Sequence, residues 1–487
     1  MTLRAQAISG FRWTATVRLL SQGVSWAITL IVVRLLTPAD YGLLAMATVF
    51  VSFLAMFSEM GLGAAIVQRP DLDVSLLRRV FGVVLTIHFT LTALLFLSAP
   101  LIALFYAEPR LTSLVRVLSF QFAIAAFAVI PDALLQRSME FKKRSLLDLT
   151  GAIVASLATL IMAFSGFGVW ALVLGSLLQQ AWKSVGINFI ARSFQYPQFS
   201  FAGLRAMLRF GGQIAISQVF WMIFSQTDIL LCARWLGKEV LGFYSVAMHL
   251  ASLPNQRISG LVNQVAFPAF SSMRGDIERV GRNLLGGVRI LSFFAFPVLW
   301  GMSSVSQEMV SIILGKKWIE ATFPLQMLTL IMPIRLASNF LQVAIQGIGR
   351  SDIILRNAVF ASIVGVTLFF IGIYSWGLHG LSVSWLVVAP AIFLQNAIRG
   401  LPCLDLRLMQ LLLCMLPPAA SGAIMYLIVT GVRHGLLFDM TEVVRLFILV
   451  IIGAASYMSA TLLLNRKGAG EAFEMVRSML PSRPTVA

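Results

Sequence analysis

Cysteine is nearly absent from this chain: Cys232, Cys403 and Cys414 are the only three among 487 residues. They show no CxxC and no framework spacing, and an odd number does not close a set of structural disulfides, so a disulfide scaffold and a thiolate metal site are excluded. Free cysteine packs as a small hydrophobe, the role expected of all three. Charge is scarce as well, at 12% of the chain, with 20 acidic residues against 37 basic ones. Among so few acids and four histidines there is no metal-ligand spacing, no nucleotide-binding glycine loop, no nucleophile elbow and no carboxylate pair poised in a loop. No cofactor, no metal and no chemistry on a substrate are expected, so the chain does not read as an enzyme. Long polar stretches are missing too, and no connection has room for a soluble domain. Met1 to Gly10 lacks a hydrophobic core ending in a small-residue cleavage site, so the first apolar run is expected to be retained.

What is present is apolar. Hydrophobic residues make up 59% of the chain and the mean hydropathy is +0.88, far from the balance of a water-soluble protein. Apolar runs fall near 11–35, 40–62, 80–106, 112–136, 146–165, 167–190, 208–233, 239–265, 286–306, 323–348, 353–375, 379–398, 409–430 and 442–464. Each has the length of a membrane-crossing helix, and in hydrocarbon the backbone must satisfy its own hydrogen bonds, so an all-α integral membrane protein of about fourteen transmembrane helices follows.

The net charge of +17 would suit nucleic acid if it were gathered in one basic domain. Instead Lys and Arg lie in short clusters between apolar runs, and no nucleic-acid partner is expected. Even-to-odd connections and the termini carry about 25 basic residues against 8 on the opposite connections, which by the positive-inside rule puts both termini in the cytoplasm. The longest connections, near 191–207 and 266–285, are expected to lie on the cytoplasmic side as amphipathic surface helices.

An internal repeat runs through the pattern. Arg34-Leu35-Leu36-Thr37-Pro38-Ala39-Asp40-Tyr41-Gly42 lies over Arg234-Trp235-Leu236-Gly237-Lys238-Glu239-Val240-Leu241-Gly242, a shift of 200 positions, and Ala47 over Ala247 continues it. Gly166 to Trp170 likewise resembles Gly380 to Trp385 at the start of the sixth helix of each half. Six helices separate the copies, an even number, so they share one orientation. The expected organisation is an N-terminal six-helix lobe at 1–200, a C-terminal six-helix lobe at 201–400, and two extra transmembrane helices with a cytoplasmic tail at 401–487, the lobes enclosing a central cavity.

Polar residues at membrane depth are the candidates for function, because each charge costs a few kcal/mol there. In the first run Thr14, Arg18, Gln22, Ser25 and Thr29 recur at three- and four-residue steps and share one helix face. Arg18, about 10 Å in from the cytoplasmic end, either lines a water-filled cleft or snorkels to the headgroups, and the continuation of the stripe beyond it favours the cleft. The tenth run repeats the pattern with Arg335, Asn339, Gln342 and Gln346. Arg335 falls near the bilayer midplane, where it serves as an interhelical clamp or a substrate contact. On the eighth run Pro254 predicts a kink, followed by Asn255, Gln256 and Arg257, the last at a depth similar to Arg18. Glu59 on the second run pairs with one of these arginines or forms a structural salt bridge. Gln213, Ser217, Ser225 and Asp228 complete the set on the seventh, with Asp228 near its outer third. Arg116 is expected to snorkel, and His88 to make an interhelical hydrogen bond rather than relay protons.

Taken together, Gly10-Phe11-Arg12-Trp13, the Arg34 to Gly42 segment, Leu134-Leu135-Gln136-Arg137-Ser138-Met139-Glu140-Phe141, Gly166-Phe167-Gly168-Val169-Trp170-Ala171-Leu172 and Leu314-Gly315-Lys316-Lys317-Trp318 give the chain a family likeness. It resembles the bacterial exopolysaccharide and O-antigen flippases of the multidrug/oligosaccharidyl-lipid/polysaccharide exporter superfamily. The resemblance implies two six-helix lobes around a cavity in the bacterial cytoplasmic (inner) membrane. It implies a substrate made of an oligosaccharide repeat unit on undecaprenyl pyrophosphate, turned from the inner to the outer leaflet. Membrane lipid, a polysaccharide polymerase and chain-length proteins are the implied partners. Lipid-II flippases of the superfamily carry arginines on the first and eighth helices, which Arg18 and Arg257 loosely match, and a basic residue on the second, where this chain has Glu59.

The residues suit such a substrate: pyrophosphate calls for arginine in a dry site, and a sugar chain for Asn, Gln and Ser. The alternative, an ion-coupled multidrug exporter of the same fold, would call for buried carboxylates facing cationic drugs. A membrane-embedded polymerase or ligase would need a substantial periplasmic loop with catalytic residues, which this sequence does not offer.

Overall fold

A computed structural model describes residues 23, 25–58, 66, 73–138, 140–191, 196–199, 205–435, 440–464 and 470, with the side chains of 141, 205–218 and 257–265 outside that description. Among the described residues there is no β-strand, as a chain in lipid requires when it has no closed barrel. Ten of the described helices are long and apolar enough to cross a membrane, and two of those ten are broken in the middle.

The breaks are local. Within Arg205–Ser272 the only non-helical residue is Gly237, at φ 81°, and within Ser351–Gly400 they are Trp376 and Gly377, the glycine at φ 57°. Glycine adopts positive φ without a Cβ penalty, so each break is a tight turn between two crossings. Pro254 lies inside helix with no non-helical residue beside it.

The first unit, Met1–Gly242, holds α1 (Ser25–Leu35), α2 (Pro38–Ser58), α3 (Val74–Tyr106), α4 (Arg110–Arg137), α5 (Phe141–Phe164), α6 (Val169–Ala191), α7 (205–236) and the first turn of α8 (238–272). Its helices pack α3 on α4, α4 on α6, α5 on α6 and α2 on α4. Leu77, Val80, Phe81 and Val84 of α3 meet Ala126, Ile130 and Ala133 of α4, while Ile28 and Val32 of α1 meet Ala163 of α5 and Ala171 of α6.

The second unit, Phe243–Ala487, holds the rest of α8, then α9 (Ile277–Ser304), α10 (Thr322–Gly347), α11 (351–375), α12 (378–400), α13 (Leu408–Gly435) and α14 (Glu442–Leu464). Short helical turns at Ser306–Met309, Val310–Leu314 and Lys316–Ala321 join α9 to α10. The last two helices are part of this unit's core: α13 packs on α9, and Met425, Val429, Leu449 and Tyr457 close over Val305. Leucines such as Leu97, Leu104 and Leu463 stay more than 70% exposed, which water would penalise and lipid does not.

Two connections differ from expectation. Residues 266–285 do not form a separate surface helix: α8 runs on to Ser272 and α9 starts at Ile277, with only a short turn between. Asp276 caps α9 by accepting from the Arg279 backbone N–H at 2.9 Å, and Glu278 pairs with Arg282 one turn on, so polar residues extend the helix beyond its apolar run. In the other connection the described residues 196–199 are non-helical, and the Gln198 backbone N–H donates to the Arg78 carbonyl at 2.9 Å, strapping the segment to the start of α3.

The repeat acquires a physical meaning in the first unit. A Cβ on Gly42 would lie 2.6 Å from the carbonyl carbon of Lys238, and one on Gly242 would lie 2.5 Å from that of Pro38. The two copies of the motif thus meet reciprocally, each glycine admitting the other copy's backbone, as small residues do where membrane helices touch. Ala47 and Ala247, the continuation of the motif, are both fully buried. Asp40 stabilises its copy twice. Its Oδ2 accepts from the Thr37 N–H and hydroxyl at 2.9 and 2.7 Å, and its Oδ1 accepts from the Val169 N–H at 3.0 Å, capping α6.

Candidate functional site

Of the residues singled out from sequence, Arg18, Gln22 and Glu59 lie outside the described residues, and Arg257 is described only as backbone within α8. The visible end of the first stripe, Ser25 and Thr29, is turned to local use. Thr29 Oγ1 donates to the Ser25 carbonyl at 2.7 Å, and the Ser25 hydroxyl accepts from Ser156 of α5 at 3.5 Å.

In the first unit Asp228 is 2% exposed on α7, and its Oδ1 accepts from the Ile229 N–H at 2.8 Å. Its neighbours Ser225 and Thr227 donate back to carbonyls of their own helix, at 3.1 and 2.5 Å. His88 is also buried, with Nδ1 2.9 Å from the Phe122 carbonyl of α4. A carbonyl only accepts, so Nδ1 carries the proton, and the interhelical bond expected of this histidine is present. Arg116 does not merely reach for a headgroup: its guanidinium stands over the Phe96 ring of α3, 5.0 Å from the centroid.

The second unit assembles the most developed arrangement. Arg335 lies thirteen residues into the 26-residue α10, about 20 Å from its start at ~1.5 Å per residue, hence near mid-membrane. Its guanidinium stacks on the indole of Trp385 in α12, 4.6 Å from the ring centroid. The Trp385 Nε1–H donates to the Tyr244 hydroxyl at 2.8 Å, and Phe369 of α11 packs against the indole with centroids 4.9 Å apart. Tyr244 and Phe369 are fully buried and Trp385 is 3% exposed, whereas Arg335 stays half-buried. Asn339 and Gln342, one and two turns further along α10, are half-buried as well, so the stripe continues as a row of amides. On another face of α10 the fully buried Asn396 donates to the Ser338 hydroxyl at 2.7 Å, tying α10 to α12.

Trp385 and Tyr244 carry no charge, so what this stack contributes to Arg335 is a cation–π contact and not an ion pair. A cation–π contact is worth about 0.5–2 kcal/mol, less than the roughly 2.5–3.5 kcal/mol that a mid-membrane arginine costs on insertion scales. Nothing in the sequence pairs Arg335 with Trp385, fifty positions away. The available signal is a tryptophan within an apolar run on the sixth helix of the second half.

Sequence reasoning also missed Glu308. This carboxylate, 1% exposed, sits in the α9–α10 connection with its Oε1 2.9 Å from Arg433 Nε and 3.2 Å from Arg445 Nε. Arg433 also donates to Gln307, and Ser311 donates to Glu442 at 2.5 Å, so the connection is bolted to α13 and α14. In the first unit Lys238 Nζ donates to Glu108 Oε2 at 2.5 Å. Lys238, Arg433 and Arg445 are all ion-paired.

A many-helix membrane protein with a stacked arginine and a row of amides in its second unit belongs to the polytopic transporter class. Comparison with known proteins narrows this: residues 31–322 match the family described as polysaccharide biosynthesis protein, and the chain belongs to that family. It is 26% identical over 469 residues to the teichuronic acid biosynthesis protein TuaB of Bacillus subtilis (strain 168), covering 94% of this chain and 95% of the relative. It is 25% identical over 390 residues to the lipopolysaccharide biosynthesis protein WzxC of Escherichia coli (strain K12), covering 80% and 79%. Among solved structures, the lipid II flippase MurJ in an inward closed conformation superposes with a TM-score of 0.76 at 14% identity, over 93% of this chain and 98% of that one. At that identity the likeness establishes the fold, which is that of a MurJ-type membrane transporter.

Proposed function

We propose that this chain is a flippase that carries an oligosaccharide repeat unit, linked to a polyprenyl pyrophosphate, from the inner to the outer leaflet of the bacterial cytoplasmic membrane for surface polysaccharide assembly. The observation that carries the reading is Arg335: a guanidinium near mid-membrane, held by its face on Trp385 and followed by Asn339 and Gln342. A stacked guanidinium keeps a planar fork of N–H donors suited to phosphate oxygens, and amides suit sugar hydroxyls. Membership of a polysaccharide biosynthesis family and the fold of a lipid II flippase support the same substrate class.

Arg18, Gln22 and Arg257 form, in this proposal, the first cationic site on the cytoplasmic side, with Glu59 beside them, and Asp228 contacts the substrate further out. Both termini are cytoplasmic. The six-helix repeats are 1–200 and 201–400, and the two further helices of 401–487 pack onto the second of them. Polymerase and chain-length proteins take the product on the outer face.

The test is polysaccharide export in a deletion strain lacking any second flippase gene. Surface polymer should disappear while lipid-linked repeat units accumulate on the inner leaflet, and Arg335→Ala at wild-type membrane abundance should restore little export. Normal polymer output from the deletion strain would refute the function. Full export by Arg335→Ala would remove this arginine from the site.

A further inference from the structure

The Trp385 indole is constrained on three sides. One face carries the Arg335 guanidinium, Phe369 packs against the ring, and the N–H edge is anchored on the Tyr244 hydroxyl. Three helices supply these groups besides α10: Tyr244 comes from α8, Phe369 from α11 and Trp385 itself from α12. An indole so held cannot turn, and a guanidinium lying on it cannot swing through the rotamers that a long, flexible side chain would otherwise sample.

We infer that Trp385, fixed by Phe369 and Tyr244, is the positioning residue that presents Arg335 to a pyrophosphate group, an inference that rests on the proposed function. The indole does not touch the anion. At 3% exposure, with the Arg335 guanidinium over one face, it is no stacking platform for a sugar. Its contribution is preorganisation: an arginine already ordered on a ring loses less freedom on binding than one that must be ordered by the ligand. Stacking engages the face of the guanidinium and leaves the geometry of its in-plane fork intact, so one contact does not compete with the other.

The experiment uses the purified full-length protein in detergent and compares affinity for geranylgeranyl pyrophosphate with affinity for geranylgeraniol. The ratio isolates the pyrophosphate contribution from that of the tail. Trp385→Leu should lower the ratio roughly two- to tenfold, the size expected from freeing one rotamer-rich side chain. Trp385→Phe, which keeps an aromatic face, should recover most of it, and Tyr244→Phe, which removes only the hydroxyl anchor, should lower it slightly. In an Arg335→Ala background Trp385→Leu should leave the remaining ratio unchanged, whereas its thermal stability should fall in both backgrounds.

A wild-type ratio for Trp385→Leu together with a reduced ratio for Arg335→Ala would overturn the positioning role while leaving the proposed function standing. A further loss from Trp385→Leu in the Arg335→Ala background would reduce Trp385 to a packing residue. A wild-type ratio for Arg335→Ala would instead remove the pyrophosphate contact on which the inference rests. Should Trp385→Leu not fold, Trp385→Phe and Tyr244→Phe decide the matter: a wild-type ratio in both overturns the role, and a graded loss in Tyr244→Phe supports it.

Discussion

Replacing Gly242 with alanine places a methyl group where the backbone of Pro38 already lies, 2.5 Å from its carbonyl carbon and closer still to the oxygen. Gly42 mirrors it, with the added carbon 2.6 Å from the Lys238 carbonyl carbon. Carbon atoms rest comfortably about 3.5–4.0 Å apart, so the first turns of α2 and α8 would have to separate by about 1–1.5 Å. No flexible side-chain end can yield, because the opposing atoms are backbone. Overpacking of this kind costs about 1–3 kcal/mol, and alanine's advantage over glycine inside a helix returns roughly 0.5–1 kcal/mol. The net expectation is a loss of about 0.5–2 kcal/mol at either position.

Gly431 on α13 supplies the control, since a Cβ there meets nothing within 4 Å and alanine should be neutral or mildly stabilising. Thermal unfolding of the purified protein in detergent measures all three. Gly42→Ala and Gly242→Ala should melt below wild type by similar amounts. The double variant should lose less than the sum, because the first methyl already parts the helices. Melting of Gly242→Ala at or above Gly431→Ala would show that the reciprocal approach is not a feature of the folded chain.

Three other outcomes are expected. Glu308→Gln strands two arginines beside a buried neutral amide and should cost about 3–5 kcal/mol, read as a marked fall in melting temperature, with no fall contradicting a charged pairing there. Asp40→Ala removes the α6 cap and the bonds to Thr37, for a loss of about 1 kcal/mol that Asp40→Asn should partly avoid; equal melting of the two variants would argue against the cap. A reporter active only in the periplasm, fused after Ala487, should stay silent under the proposed orientation, which rests on the alternation of basic clusters; a strong signal would overturn it.

Class, helix count and the candidate polar stripe were legible in the sequence because each depends on local properties. An apolar run of about twenty residues in lipid becomes a helix whatever its neighbours do, and the stripe Arg335, Asn339, Gln342 follows from helical periodicity alone. The glycines at 42 and 242 were visible as a repeat, although why they must be glycine was not. That reason lies in a contact across some 200 positions. Polar helix extensions such as the start of α9 escaped notice because no apolar pattern marks them, and they are held instead by Asp276 and the Glu278–Arg282 pair. The breaks at Gly237 and Gly377 fall in the gaps between apolar runs that the sequence already marked, where glycine tolerates positive φ. Only the tertiary structure set Trp385 beneath Arg335, Tyr244 at the indole N–H, and Arg433 and Arg445 around Glu308. Those partners stand fifty to well over a hundred positions apart, and in an apolar helix nothing but the packing of one helix on the next decides which residues meet.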